Sequence, residues 1–284
     1  MTAILSGRYP LSAQVPLARD TWRLTFTAPE LAARIAPGQF VMVRLPNRTD
    51  PLLGRAFALY ETVADGQGQP VGVSLVYLVV GKMTRLLAER RAGDEVEVWG
   101  PLGQPFPDYT GVDHLVLVMG GIGFTPMVAL TRQVLGQKGY AGRRPQAQVA
   151  RVSCYYGVRR AEYFAGLEEL EAAGASLHLA TDDGSRGYRG FVTALLREHH
   201  AAGALTGKVR VVGCGPEAML HTLAELTAEV GLGCDVSLET PMACGTGLCF
   251  SCVTRLCLPT GGWDYRRVCV EGPTFDAHRL VWPP

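Results

Sequence analysis

Between residues 112 and 232 the chain repeats one unit: an apolar segment of strand length, a turn of small residues, then an amphipathic segment of helical period. "HLVLVMGG" leads to "PMVALTRQVL", "VARVSCYYG" to "AEYFAGLEELEAAG", "SLHLATDDG" to "FVTALLREHHA", and "KVRVVGCG" to "PEAMLHTLAELTAEVG". Strands that are apolar on both faces need cover on both faces, so the pattern predicts a parallel sheet sandwiched by helices. Upstream, "TWRLTFTA", "QFVMVRL", "RAFALYE", "VSLVYLVVG" and "DEVEVWG" are short alternating segments parted by proline and glycine turns. They predict an antiparallel barrel or sandwich, interrupted by one helix at "TRLLAERR". After Gly233 the alternation stops, and six of the eight cysteines follow. The expected architecture is multidomain: an antiparallel β-barrel over 1–108, an α/β parallel-sheet domain over 109–232, and a small module over 233–284. So short a module needs a staple to hold its shape.

Charge and hydropathy exclude whole classes of partner. A formal net charge of +1 gives no electrostatic basis for binding nucleic acid or an anionic membrane. The first residues carry no basic stretch leading into an apolar core, so no secretory signal is expected. The longest apolar run, residues 115–130, holds three glycines and a proline and falls short of a bilayer span. A cytoplasmic location is therefore expected, where thiols stay reduced and a cysteine cluster points to metal or redox chemistry.

The cysteines have a specific spacing. Cys244, Cys249 and Cys252 form C-x4-C-x2-C, and Cys269 follows after sixteen further residues. This is the plant-type arrangement for a [2Fe–2S] cluster. Three thiolates from one loop can wrap two irons only if the backbone bends sharply, which Gly245 and Gly247 permit. Structural zinc would use two close cysteine pairs, and only one C-x2-C is present. The fourth ligand is expected to be Cys269 on a returning strand, with Cys257, nearer the same loop, as the alternative. Cys154 and Cys234 read as core thiols.

Two turns in the repeating region suggest a nucleotide. "VLVMGGIGFTPM" places Gly120, Gly121, Ile122 and Gly123 between a strand and a helix, with Thr125 expected as N-cap and Pro126 as first helical residue. Free N–H groups there suit a pyrophosphate. The G-x-G-x-x-G fingerprint is not met, because Pro126 stands at its third glycine, and plain strand-to-helix packing is the competing explanation. In "VRVVGCGPEAML", Cys214, Gly215 and Pro216 close a second strand at the same end of the sheet. There Cys214 either faces the crevice or simply fits a tight turn. In the barrel, Arg55 opens a strand, and Gly81 with Thr84 marks a helix start. Arg159 and Arg160, just past a strand end, are placed to meet a 2′-phosphate or to be solvated.

Together, "GRAFALY", "VVGKMTRLL", "DEVEVWGPLGQPF", "VLVMGGIGFTPM", "LATDDGSRGYRGFVTALL", "VVGCGPEAML", "SLETPMACGTGLCFSCV" and "RVCVEGPTF" run in order from about residue 8 to 276. In this the chain resembles the electron-transfer subunits of class 1B dihydroorotate dehydrogenase, in the ferredoxin-NADP reductase superfamily. The resemblance implies an FAD-binding barrel, an NAD-binding domain and a [2Fe–2S] module held by Cys244, Cys249, Cys252 and Cys269. It places Arg55, Ala56, Phe57 and Ala58 at the FAD pyrophosphate and flavin edge, and Gly81, Thr84 and Arg85 at its phosphates or ring. The 120–123 turn, "TDDGS" and Cys214–Gly215–Pro216 fall to the nicotinamide cofactor, taken as NADH. Ala58 stands where the family usually has a serine, and Met83 where it has a glycine. The implied partner is an FMN-containing catalytic subunit in a heterotetramer, with electrons passing through the cluster and FAD to NAD in pyrimidine biosynthesis. The alternatives are an NAD(P)H-dependent reductase subunit serving ferredoxin, a hydrogenase or a glutamate-synthase-type partner, or a zinc-stapled interaction module.

Overall fold

The computed structural model of the chain describes residues 3–282. Its first strand, β1 (Leu5–Ala18), was not legible as a strand, because Gly7, Pro10 and Pro16 read as turn residues. It closes the barrel by changing partners. Residues 5–10 pair with β6 (Glu95–Leu102), and residues 11–18 pair with β2 (Thr21–Thr27) across two register shifts. A single turn, α1 (Pro29–Ala32), then leads to β3 (Phe40–Arg44), β4 (Arg55–Ala64) and β5 (Pro70–Leu78). The closed order is β1-β2-β5-β4-β3-β6, with α2 (Lys82–Ala88) spanning β5 to β6. Leu24, Phe26, Val41, Leu59 and Leu75, at or near zero exposure, fill its interior.

The second half is a seven-stranded sheet. Strands β7 (Val112–Gly120), β8 (Val149–Val158), β9 (Ser176–Thr181), β10 (Tyr188–Arg189), β11 (Val209–Cys214) and β12 (Gly233–Ser237) are parallel. Helices α3 (Met127–Val134), α4 (Leu167–Ala172), α5 (Val192–Ala201) and α6 (Glu217–Glu229) connect them. The helix expected over "AEYFAGLEELEAAG" is split into a short 3-10 turn and α4. Gly166 divides them at φ +71, where a Cβ would lie 2.7 Å from the Phe124 ring. In the order β10-β9-β8-β7-β11-β12 the connections reverse direction between β7 and β11, and the carboxyl ends there form the crevice where open α/β sheets take ligands.

The cysteine-rich tail does not stand apart. Its first strand, β12, belongs to the sheet, so the expected boundary at 232/233 falls at the start of a shared strand. A hairpin of β13 (Val253–Cys257) and β14 (Trp263–Arg267) precedes one turn, α7 (Val268–Glu271). Then β15 (Thr274–Asp276) returns antiparallel beside β12. Phe40, Met42 and Leu102 of the barrel pack in one cluster with Cys252, Val268 and Cys269 of the tail. Among the described residues no helix is long and apolar enough to cross a membrane.

Candidate functional site

A cleft of about 500 Å3 opens where the three parts of the chain meet. The barrel supplies Arg55, Ala56, Phe57, Ala58 and Tyr77; the turn into α2 supplies Gly81, Lys82, Met83 and Thr84. From the sheet's carboxyl edge come Ile122, Thr125, Cys214 and Ser237, and the segment 238–242 continues the wall toward Cys244. The volume lies in the range of cofactor sites, and the lining mixes aromatic and aliphatic surface with a few convergent polar groups.

Each wall has a local cause. Arg55 begins β4 and is exposed; its Nη1 donates to the carbonyls of Leu53 and Gly54 at 2.9 and 3.0 Å, which folds the side chain back over its own turn. Thr84 takes the third position of α2, and its Oγ1 accepts from the N–H groups of Val80 and Gly81, both at 3.1 Å. That hydroxyl secures the turn. Met83, where the family has glycine, is buried in the barrel core.

Of the residues expected at the cofactors, the cleft gathers Arg55, Ala56, Phe57, Ala58, Gly81, Thr84, Ile122 and Cys214, and leaves out Arg85, Gly120, Gly121, Gly123, Gly215 and Pro216. Arg85 lies exposed on the outer side of α2. The glycine-rich turn packs against the second turn: a Cβ on Gly123 would sit 2.1 Å from the Cys214 carbonyl oxygen, and one on Gly120 2.6 Å from Met219 Sδ. Gly121 differs, with open space over its α-carbon. Thr125 does not cap α3. The chain after β7 tightens into a 3-10 turn (Gly121–Phe124), Thr125 N–H donates to the Ile122 carbonyl at 3.1 Å, and Pro126 takes the N-cap place.

Tyr77, Ser237 and Glu239 line the cleft without having been singled out on the sequence. Glu239 had a signal: a lone acidic residue between an apolar strand and the cysteine loop. Glu239 is exposed at the cleft, and desolvation by the protein beside it raises its carboxyl pKa. Burial, then the nearby Glu239 carboxylate, raises the Cys214 thiol too, so Cys214 is a neutral thiol in the cleft wall.

The cysteine loop begins two residues beyond Met242. Cys249 is a neighbour of Cys244, and Cys269 has both Cys252 and Cys244 near it. The four thiols thus lie in one neighbourhood; among the described residues no three His, Cys, Asp or Glu side chains converge on a single ion. Burial opposes ionisation of Cys244, yet the side chain and N–H of Thr246, with the N–H and side chain of Cys249, outweigh it and bring the thiol down to about 6. Contact with Ser251 lowers Cys249. Burial and the adjacent Cys252 push Cys269 up to about 12. Cys269 sits on the single turn α7 rather than on a strand: β14 ends at Arg267, whose N–H donates to Glu271 Oε2 at 2.6 Å and starts the turn. Cys257 is exposed at the end of β13, opposite Trp263. Gly245 has φ +73, and a Cβ there would meet Met42 Cγ at 2.7 Å, so the loop backbone lies directly on the barrel wall. Beside Cys249, Leu248 is 84% and Phe250 60% exposed.

Comparison with known proteins follows the same division. The chain matches models of an oxidoreductase FAD-binding domain over 8–106, an oxidoreductase NAD-binding domain over 117–225, and the iron–sulfur cluster binding domain of dihydroorotate dehydrogenase B over 239–281. Among solved structures, one described as an NADH-dependent reduced ferredoxin-NADP oxidoreductase superposes with a TM-score of 0.78 over 96% of this chain and 90% of that one, at 24% identity. The cytochrome b5 reductase domain of Ulva prolifera nitrate reductase gives 0.62 over 80% and 94%, at 19% identity. These two likenesses establish the ferredoxin-reductase-like fold. Curated relatives named electron transfer subunits of dihydroorotate dehydrogenase B (NAD(+)) are closer in sequence. The protein of Geobacillus kaustophilus is 37% identical, spanning 96% of this chain and 98% of its own. That of Desulforamulus reducens is 33% identical over 94% of each. With barrel, sheet and cysteine loop all matched end to end, the chain belongs to the family of dihydroorotate dehydrogenase B electron transfer subunits, NAD-linked oxidoreductase chains with FAD, NAD and iron–sulfur binding domains.

Proposed function

We propose that this chain carries electrons between a partner dihydroorotate dehydrogenase catalytic subunit, which holds FMN, and NAD, in pyrimidine biosynthesis. The observation that carries the reading is the position of the cleft: one wall is the barrel, another the sheet's switch point, and the third runs straight into Cys244. Bound FAD supplies the exchange between a two-electron carrier and a one-electron carrier. In this reading the units are the barrel over 1–108, the nucleotide-binding domain over 109–232 and the cluster module over 233–284, assembled as a heterotetramer of two such chains with two catalytic ones.

The chain's own residues bind, space and shield. Arg55 brings a cation to the barrel side of the cleft, for the pyrophosphate of FAD. Phe57 and Tyr77, with ring centroids 5.7 Å apart, supply aromatic surface on that side. Ile122 and Cys214 line the cleft from the nucleotide side, and the close packing of Gly120 on Met219 and of Gly123 on the Cys214 carbonyl holds their two turns together. Glu239, the acid of the lining, keeps a proton to higher pH than a free carboxylate does. Cys244, Cys249, Cys252 and Cys269 would hold the cluster, four thiolates being the donor set that a [2Fe–2S] centre takes. Leu248 and Phe250 give the cluster edge an apolar face for the catalytic chain. At the adenosine end, Asp182 and Asp183 follow β9 beside Arg159 and Arg160, and Asp183 is held ionised by its hydrogen bonds from Ser185. A second phosphate on the ribose is disfavoured there, in keeping with NADH.

Enzymology of the separate chain tests this. Purified alone, it reduces an artificial acceptor with NADH and does not oxidise dihydroorotate; adding the FMN-containing catalytic chain couples the two reactions. Dihydroorotate oxidation by this chain without a partner would contradict the assignment.

A further inference from the structure

The barrel touches the cysteine loop through one polar side-chain contact at the first ligand. Trp99, on β6 and paired with Met42 of β3, donates its indole Nε1–H to the Cys244 carbonyl at 2.8 Å. The far edge of the same ring lies against Gly54, where a Cβ would sit 2.6 Å from Trp99 Cη2. Gly54 immediately precedes Arg55. One rigid indole therefore spans from the flavin-side turn to the backbone of the first cysteine.

We propose that Trp99 is a positioning residue for the cluster, fixing through this hydrogen bond the peptide that follows Cys244. The inference rests on the reading that Cys244 is a ligand. The Cys244 carbonyl shares its peptide plane with the Gly245 N–H; fixing that plane anchors Gly245, whose left-handed backbone at φ +73 then sets where the following N–H points. That next N–H, of Thr246, donates to Cys244 Sγ at 3.3 Å. N–H groups aimed at ligand sulfurs favour the more negative, reduced form of an iron–sulfur centre and raise its potential. Met42 and Leu102 press the loop from below, with would-be contacts of 2.7 and 2.9 Å to a Cβ on Gly245, but apolar packing leaves the peptide plane free to rock. The indole supplies the directional constraint. Trp99 thus holds the sulfur's hydrogen bond while its ring keeps the flavin-side turn in register with the same loop.

The test compares the intact chain with Trp99→Phe, which keeps an aromatic ring and removes the donor. Flavin content and melting temperature report folding; the reduced-cluster EPR spectrum, the cluster midpoint potential and the rate of iron loss to a chelator report positioning. The expected result is unchanged flavin content, a potential shifted to more negative values, an EPR signal broadened or split by more than one loop orientation, and about fivefold faster iron loss, the scale of one net hydrogen bond. If Trp99→Phe loses flavin as well, the benzothiophene analogue of tryptophan at position 99, lacking only the N–H, gives the deciding spectrum. A potential and spectrum superimposable on those of the intact chain overturn the role of Trp99 while leaving the cluster assignment standing. An intact chain with no iron–sulfur signal overturns that assignment and this inference with it.

Discussion

Cys269→Ser is expected to abolish the iron–sulfur chromophore, whereas Cys257→Ser should leave it intact. The difference follows from where the two thiols lie. Cys269 is buried in one cluster with Cys252, Val268 and Leu256, while Cys257 is exposed at the end of β13. An alcohol in place of a thiolate leaves the site one ligand short at a buried position. Loss of a ligand should cost more than the ten- to hundredfold typical of outer partners, so purified Cys269→Ser should fall from about two irons per chain to near none. NADH-linked dye reduction, which needs only the flavin side, should persist in the variant, and transfer to the catalytic chain should fall by roughly a hundredfold or more. Iron analysis and the two assays on both variants decide it: full iron in Cys269→Ser, or loss in Cys257→Ser, would move the fourth ligand to the hairpin.

Glu61→Ala should be the most damaging substitution outside the cofactor sites. Glu61 lies on β4 with 13% of its side chain exposed and collects the cations of the neighbouring domain. Arg132 of α3 binds Oε2; Lys138 Nζ and the Tyr140 hydroxyl donate to Oε1, both at 2.8 Å. Lys138 also reaches the Thr62 carbonyl at 2.6 Å. Removing the carboxylate leaves two cations facing each other in a largely dehydrated seam, a change of about 3 kcal/mol at the partial exposure of this cluster. For a chain of this size that lowers the melting temperature by roughly 5–10 °C. Because β4 also begins the flavin site at Arg55, FAD retention should fall with it. The double variant Glu61→Ala/Lys138→Met should recover part of the loss, since it also removes one uncompensated charge. A Glu61→Ala melt within 1 °C of the parent would show that this cluster adds nothing to the joint between barrel and sheet.

Much of this organisation is written locally in the sequence. The parallel strands announce themselves as apolar runs, α5 and α6 fall where "FVTALLREHHA" and "PEAMLHTLAELTAEVG" place them, and the cysteine spacing points to the loop that gathers the thiols. What the sequence conceals is set by distant partners. Strand β1 carries two prolines and becomes a strand only because β6 and β2 flank it in turn. Strand β15 has three residues, too few for a period, and exists through its pairing with β12. The glycines at 120 and 123 suggest a bound phosphate, yet the contacts that demand them are with the Cys214 carbonyl and Met219. Conversely, Tyr77, Ser237 and Glu239 look ordinary in one dimension and meet only when barrel and sheet close on each other.

The central claim is that a flavin and a two-iron cluster share one electron path in this chain. An anaerobic NADH titration of the purified protein, followed by visible absorption and EPR, addresses it directly. Stepwise bleaching of the flavin band accompanied by the signal of a reduced [2Fe–2S] centre is the expected result. A protein that binds flavin and is bleached by NADH, but develops no cluster signal and contains zinc or no metal, would contradict it.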